Sequence, residues 1–343
     1  MNKNKPVRII ALLLLITLLA SLFIGCDREK KITAKNRIYY EYFDTVSTIY
    51  DYTGGSEDDF RQAAMHFEDR LEYYHKLFDI YNEYDGINNV ATVNRLAGAE
   101  AVKVDSELVD FLLFAKEMHN KTDGNVNVAM GSVLSIWHRY RTIGVELPPV
   151  EELALAAEHT DINNLIIDEE ASTVYLADPL MSLDVGAIAK GYAVERIADS
   201  LMGYGITSYV LDVGGNLRAI GAKADGSKWK TGVQNPKPED GKSYVYYLYV
   251  EDCSVVTSGD YQRYYTVDGK KYHHIINKDT LMPAEYFSSV TVMVEDSGVA
   301  DALSTALFNM SYESGVALLG NFEDISAVWV TLDGEVKTYG INE

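Results

Sequence analysis

From Phe60 to Tyr81 apolar residues recur at steps of three and four, through Ala64, Phe67, Leu71, Tyr74 and Phe78. At that spacing they share one face of a helix for more than about five turns. A stripe this long and this aromatic has to be covered, so the chain must build a second apolar layer against it. The stripe reads as core, and Tyr81, its last member, is the one position placed to meet a ligand instead. Ser56 and Asp59 stand where a hydroxyl caps the free amides of the first turn.

The rest of the chain alternates irregularly between helix and strand signals. Ile38 to Tyr52, rich in Tyr, Ile, Val and Thr, predicts a strand ended by Gly54-Gly55. Helices are predicted from Asp105 to Asn120 and, behind Pro148-Pro149, from Glu151 to His159. Leu165 to Ile167 and Thr173 to Leu176 read as paired strands. A strand at Met181 to Val185, a helix at Ile188 to Met202 and a strand at Ser208 to Val213 follow, the last closing on Gly214-Gly215. Tyr244 to Val250 and Ser289 to Val294 read as strands and Val299 to Met310 as a helix. Ala327 to Thr331 is a strand leading into a hairpin at Asp333-Gly334. Without a strict βαβ repeat, this order predicts an α+β or mixed α/β domain.

The 343 residues include 51 acidic and 30 basic side chains, a net charge of -21. Such a chain repels phosphate backbones, and it has no basic run to offset that, which excludes duplex binding. Two cysteines, Cys26 and Cys253, supply neither a disulfide framework nor a four-ligand zinc site. Cys26 follows a basic start (Lys3, Lys5, Arg8), an apolar run beginning at Ile9 and a Gly25. The run is shorter than the roughly 20 residues a membrane span needs, and it has the layout of a secretory leader. Ending at Gly25-Cys26 before Asp27-Arg28-Glu29-Lys30, it resembles the lipobox of bacterial lipoproteins, although Phe23 stands where Leu is usual. The expectation is a signal peptide over 1–25, acylation (diacylglycerol, palmitate) at Cys26, a polar tether over 26–37 and one globular domain over 38–343. Cys253, among Val250, Val255 and Val256, then reads as a lone, half-buried strand thiol.

Three clusters carry possible chemistry. In Asp184-Val185-Gly186-Ala187-Ile188-Ala189-Lys190-Gly191, a carboxylate precedes a helix entrance of small residues with a lysine in its first turn. Free amides, the helix dipole and Lys190 favour an anion there, while an ordinary strand-to-helix turn with a solvated lysine explains the same residues. Asp301 and Thr305, four apart on a predicted helix, can offer two oxygens to one hard cation, for which magnesium fits best; a helix-start acid with a back-bonding Thr is the plainer alternative. His273 and His274 follow an aromatic strand, whose alternation sends them to opposite faces, so one of the two is a candidate general base. Together the clusters point to a magnesium-dependent site acting on a pyrophosphate.

Read in order, the motifs resemble those of the ApbE family of FAD:protein FMN transferases, from about Tyr40 nearly to the end. The carriers are Asp184-x-Gly186-Ala187-Ile188-Ala189-Lys190-Gly191-Tyr192-Ala193 and Asp212-Val213-Gly214-Gly215-Asn216, then Thr257-Ser258-Gly259-Asp260-Tyr261, His274-Ile275-Ile276 and Ala300-Asp301-Ala302-Leu303-Ser304-Thr305. The resemblance implies an ApbE-like (T-fold-like) single domain with mixed sheets and flanking helices. It implies Mg-dependent transfer of FMN from FAD onto a Thr hydroxyl of a target protein, with release of AMP. Targets would be flavin-acceptor subunits of membrane electron-transfer complexes, met at the extracytoplasmic face of the cell membrane by a lipid-anchored enzyme. The alternatives are an FAD pyrophosphatase giving FMN and AMP, and a flavin-binding lipoprotein without transfer.

By the same resemblance, Phe43, Tyr81, Asn125, Val126, Asn127, Asp184, Lys190 and the Ile275 backbone would contact FAD. The Ala187 carbonyl, Asp301 and Thr305 would hold Mg2+, and His274 would deprotonate the acceptor. Tyr42-Phe43-Asp44-Thr45 departs from the usual Ala-Met-Gly-Thr, Asn127 replaces a common Asp, Asn277-Lys278 replaces Asp-Pro, and Leu281 replaces Gly. These departures bear on how FAD is oriented and on the balance of transfer and hydrolysis. The acidic global field further predicts that FAD affinity depends on Mg2+ and tightens with ionic strength.

Overall fold

The chain's β-rich segments assemble in the order in which they are made. The computed structural model describes residues 34–238 and 241–341. The predicted leader, Cys26 and most of the tether lie outside the described residues. The elements run β1 (Lys35–Tyr39), β2 (Ser47–Asp51), α1 (Glu57–Phe78), α2 (Val90–Arg95), β3 (Val102–Lys103), α3 (Ser106–Lys121), α4 (Gly131–Ile143), α5 (Val150–Ala157), β4 (Leu165–Asp168) and β5 (Thr173–Leu176). They continue with α6 (Ala189–Gly203), β6 (Tyr209–Val213), β7 (Asn216–Ile220), β8 (Trp229–Gln234), β9 (Tyr244–Val250), β10 (Cys253–Gly259), β11 (Tyr264–Val267) and β12 (Lys270–His273). The last are β13 (Phe287–Val294), α7 (Ser297–Phe308), α8 (Tyr312–Leu319), β14 (Ser326–Thr331) and β15 (Val336–Tyr339).

One eight-stranded sheet, in the order β1-β2-β6-β7-β10-β13-β14-β15, is antiparallel throughout. Because side chains alternate along each strand, the sheet has two different faces. On one face Leu211, Val256, Val290 and Val292 meet α1, α6 and α7, and there the aromatic stripe of α1 is buried at Phe60, Phe67, Leu71, Tyr74 and Phe78. Each large side chain removed from water contributes about 1.5–3 kcal/mol, so this is the face that holds the fold together. On the other face Val210, Val255, Val328 and Val330 are covered by the β8–β9 hairpin through Trp229, Leu248 and Val250. A third, smaller cluster joins α4 and α5 to the β11–β12 hairpin around Trp137, Tyr265, Tyr272 and Ile276.

Several expectations are corrected in detail. The predicted strand at 38–52 is two strands, with a turn over 42–45 between them. Its first strand begins at Lys35, inside the predicted tether, because Lys35 Nζ lies 2.9 Å from the buried Asp51 carboxylate. Burial works against that charge, but hydrogen bonds from Thr53 and Lys35 hold the Asp51 pKa below its ordinary value. Met181 to Val185 forms no strand. Its backbone is taken by the Asn94 side chain on both sides of Leu183 and by the Val128 carbonyl at Asp184. The helices α2 and α4 have no counterpart in the sequence reading; α4 starts without a side-chain cap. Cys253 is half-buried at the start of β10, and burial pushes its thiol up to about 11, so it is protonated and unreactive at neutral pH.

Candidate active site

The site begins where α6 and α7 cross. Gly191 is the third residue of α6, so its N–H is one of the donors that no helical carbonyl satisfies. It donates instead to Asp301 Oδ2 on α7, at 2.8 Å. A Cβ at this position would lie 2.3 Å from the Ser297 carbonyl oxygen and 2.5 Å from Asp301 Cβ, so only glycine lets the two helices approach this far. Asn216 Nδ2, from the first residue of β7, reaches the same Oδ2 at 2.9 Å, and Lys190 Nζ stands 3.7 Å away. Asp301 is 4 % exposed, and these contacts satisfy its buried Oδ2. One turn on, Thr305 Oγ1 lies 3.3 Å from Ser258 Oγ, which also meets Ser304 Oγ at 2.8 Å.

This arrangement suits a hard cation. Among the described residues, Asp301 Oδ1 and the Ala187 carbonyl accept no hydrogen bond, which leaves both with lone pairs turned to no protein donor. One carboxylate, one hydroxyl and one carbonyl are oxygen donors of the kind Mg2+ takes while keeping waters and bridging to phosphate. No group of three or more His, Cys, Asp or Glu able to hold a metal exists among the described residues.

Asp184 forms the second part. It is 8 % exposed, and its Oδ1 accepts from the Gly186 N–H at 3.0 Å. Its Oδ2 faces His138 Nε2 at 3.7 Å, and His138 Nδ1 is 3.0 Å from the Tyr81 hydroxyl. Tyr81 leaves the α1 stripe because Asp79 caps the helix end and holds the Tyr81 and Asn82 amides. The ring is 65 % exposed. Burial lowers the His138 pKa, with Asp184 opposing and Arg141 and Arg263 reinforcing the shift.

The β11–β12 hairpin supplies the third part. Trp137 of α4 packs against Tyr265 and Tyr272, and its indole N–H is held by the Leu281 carbonyl at 2.9 Å. This clamps the base of the hairpin, where Tyr264 pairs with His273, against α4. His273 points inward: Nε2 lies 2.8 Å from the Ala284 carbonyl, and Nδ1 accepts from the Ile275 N–H. Both its nitrogens are spent on structure. His274 points the other way, with Nδ1 3.2 Å from the Arg263 carbonyl. A carbonyl can only accept, which assigns the proton to Nδ1 and leaves the Nε2 lone pair available. Burial, then Arg263, His273, Arg141 and Lys190, push the His274 pKa down to about 3, so the ring is neutral at physiological pH. Tertiary structure thus separates two adjacent histidines that the sequence left open.

The remaining expected residues are placed as follows. Phe43 sits in the turn over 42–45 with φ of 56°, its ring 5.7 Å from His75, and the neighbouring Asp44 carbonyl accepts from Arg263. The turn is pressed against the β6–β7 connection, where a Cβ on Gly214 would lie 2.3 Å from Thr45 Oγ1. Val126 is core, and the side-chain amides of Asn125 and Asn127 donate to the Thr122 and Thr160 carbonyls. The next residue, Val128, accepts the Asp184 N–H through its carbonyl at 2.8 Å. The Ile275 N–H is bound by His273 and its carbonyl by the Ala284 N–H, so only the carbonyl's second lone pair remains for a ligand. His138, Arg141 and Arg263 were not anticipated. The first two, three apart in a segment not read as a helix, carried a weak signal; Arg263 carried none. A cavity of about 350 Å³ lies on the other face of the sheet, lined by Asp212, Thr231, Thr257, Tyr261, Gln262 and Thr291, and contains none of the expected site residues.

The ApbE family model matches residues 43–329. The chain belongs to the ApbE family. Among ApbE relatives, an FAD:protein FMN transferase of Klebsiella pneumoniae is 31 % identical over 76 % of this chain and 83 % of its own. One of Treponema pallidum is 34 % identical over 72 % of each. The crystal structure of the ApbE protein of Thermotoga maritima superposes with a TM-score of 0.80 at 28 % identity, covering 90 % of this chain and 97 % of that one. The flavin transferase ApbE of Vibrio cholerae gives 0.72 at 25 % identity with the same coverage. The ApbE fold accounts for the mixed α/β single domain expected from sequence.

Proposed function

We propose that this chain transfers FMN from FAD to a hydroxyl of a protein acceptor, a Thr, releasing AMP. The observation that carries it is the neutral His274, with its Nε2 lone pair unengaged, set among Lys190, Arg141 and Arg263. Its relatives, named FAD:protein FMN transferases, support the same reaction. His274 Nε2 takes the hydroxyl proton as the acceptor oxygen attacks the FMN phosphorus. The phosphorus–oxygen bond to the AMP phosphate breaks, and AMP departs with the electron pair. Lys190 faces the charge that develops on the departing phosphate. Asp301, Thr305 and the Ala187 carbonyl would hold Mg2+, which neutralises phosphate charge when bound. Tyr81 and Phe43 offer aromatic surface for the ring system, and Asp184 is held near them through His138.

The acidic chain, its leader and Cys26 support a lipid-anchored enzyme at the extracytoplasmic face of the membrane, acting on acceptor subunits of electron-transfer complexes. No helix among the described residues is long and apolar enough to cross a membrane, and Cys26 lies outside those residues. The test is to incubate the protein with FAD, Mg2+ and a Thr-containing acceptor domain. A mass gain equal to FMN on the acceptor is expected, lost on chelation and lost in Asp301→Ala. Intact FAD with an unmodified acceptor would overturn the reading. FMN and AMP released at the same rate without acceptor would replace it with hydrolysis.

A further inference from the structure

The arginines of this chain divide into two sets. Arg37, Arg61, Arg95, Arg139, Arg196 and Arg218 each lie within ion-pair distance of a carboxylate. Arg70 donates to the Tyr74 hydroxyl and stacks on Tyr73 and Tyr74. Arg141 and Arg263 have no carboxylate within that distance among the described residues, in a chain with 51 acidic side chains. Burial disfavours the charge on Arg141, and Arg263 adds to that, while Tyr81 and Asp184 oppose it. Two guanidinium groups on packed elements with no carboxylate at ion-pair distance leave donors that an anion can take up.

Both are held by ordered elements. Arg141 is three residues beyond His138 on α4, and thus on the side of the helix that meets Tyr81 and Asp184. Arg263 precedes β11, where its Nη2 donates to the Asp44 carbonyl at 3.2 Å and its own carbonyl holds His274. The Trp137–Tyr265–Tyr272 packing fixes the two elements to each other. We propose that Arg141 and Arg263 form a two-pronged clamp for the phosphoryl groups of the dinucleotide, holding them beside His274. Guanidinium forks match phosphate oxygens bidentately, which a lysine cannot do, so the clamp adds orientation to the point charge of Lys190. The inference rests on FAD being the substrate. It also reverses the salt response expected from the net charge: a local clamp loses affinity as salt screens it, whereas relief of a repulsive global field would tighten binding.

The test measures binding, not turnover, of FAD, ADP and riboflavin to the full chain in EDTA, by flavin fluorescence and calorimetry. Arg141→Ala and Arg263→Ala should each weaken FAD and ADP by about tenfold or more, with riboflavin affinity unchanged, as expected for lost charge-assisted hydrogen bonds. The Lys variants should recover part of the loss, and FAD affinity should fall between low and high salt in the unmodified protein. Denaturation midpoints equal to the parent's show that the variants fold; Arg141→Gln serves if Arg141→Ala does not. FAD affinity within twofold of the parent in both variants, an equal loss for riboflavin, or tighter FAD binding at high salt would each overturn the clamp. Failure of the unmodified chain to bind FAD with Mg2+ restored would instead overturn the substrate on which it rests.

Discussion

The two charged sides of the site are built on opposite terms. Around Asp301 the charge is answered from within the protein: one carboxylate oxygen accepts from Gly191 N–H and Asn216 Nδ2, with Lys190 Nζ 3.7 Å away. Around His274 it is not, since Arg141 and Arg263 face a neutral ring without carboxylate partners among the described residues. The first side therefore serves the fold's stability as well as the proposed metal, whereas the second is left for a ligand. A polar group satisfied by the protein costs stability when removed, whereas a group left for a ligand costs function.

That contrast can be broken by substitution. The largest effect is expected at His274: His274→Ala should lower transfer by about 10²–10⁴-fold, the range for loss of a general base, with an unchanged denaturation midpoint. His273→Ala should do the reverse, costing about 1–3 kcal/mol because the Ala284 carbonyl and the Ile275 N–H lose their partner. If urea unfolding showed both variants equally destabilised, the division between the two histidines would fail. On the compensated side, Gly191→Ala should cost about 1–3 kcal/mol by forcing α6 from α7, and activity should fall with stability.

The pH dependence sharpens the comparison. The folded protein holds His274 at about 3, and burial also lowers His138 and His273, whereas in the unfolded chain these rings protonate near their ordinary value. The unfolded state therefore takes up protons first as pH falls. Stability should be full above about 6.5 and be lost progressively towards pH 3. Urea midpoints measured from pH 7 to 4 should decline, and His274→Gln should flatten that decline; a slope unaffected by this substitution would place the linkage elsewhere. The smallest effect is expected at the rim of the site. Asp44 has φ of 49°, in the left-handed region that favours glycine, so Asp44→Gly should raise stability by a few tenths of a kcal/mol to about 1 kcal/mol. A drop in the thermal midpoint would show that the Asp44 side chain contributes something that its strained backbone conceals.

The compensated side was largely legible in the chain. The α1 stripe, the Ser56 cap, the Asp184 to Ala193 run and the Asp301–Thr305 pair all act through short-range spacing, and the structure places them on the expected helices and at a helix entrance. On the clamp side only the histidine pair was legible. Arg141 lies on α4, a helix without a side-chain cap, and Arg263 and His274 bracket a hairpin held to it by Trp137. Met181 to Val185 looked like a strand by composition, but the Asn94 amide captured its backbone.

Sequence by itself determined the elements and the type of chemistry, because helix periodicity, capping and a run of small residues before a lysine are local properties. Only the tertiary structure decided which histidine keeps an unengaged ring nitrogen, which arginines lack a carboxylate at ion-pair distance and why residue 191 must be glycine. Those depend on burial and on distances between residues far apart in the chain, and electrostatic energy follows distance in space rather than separation in sequence.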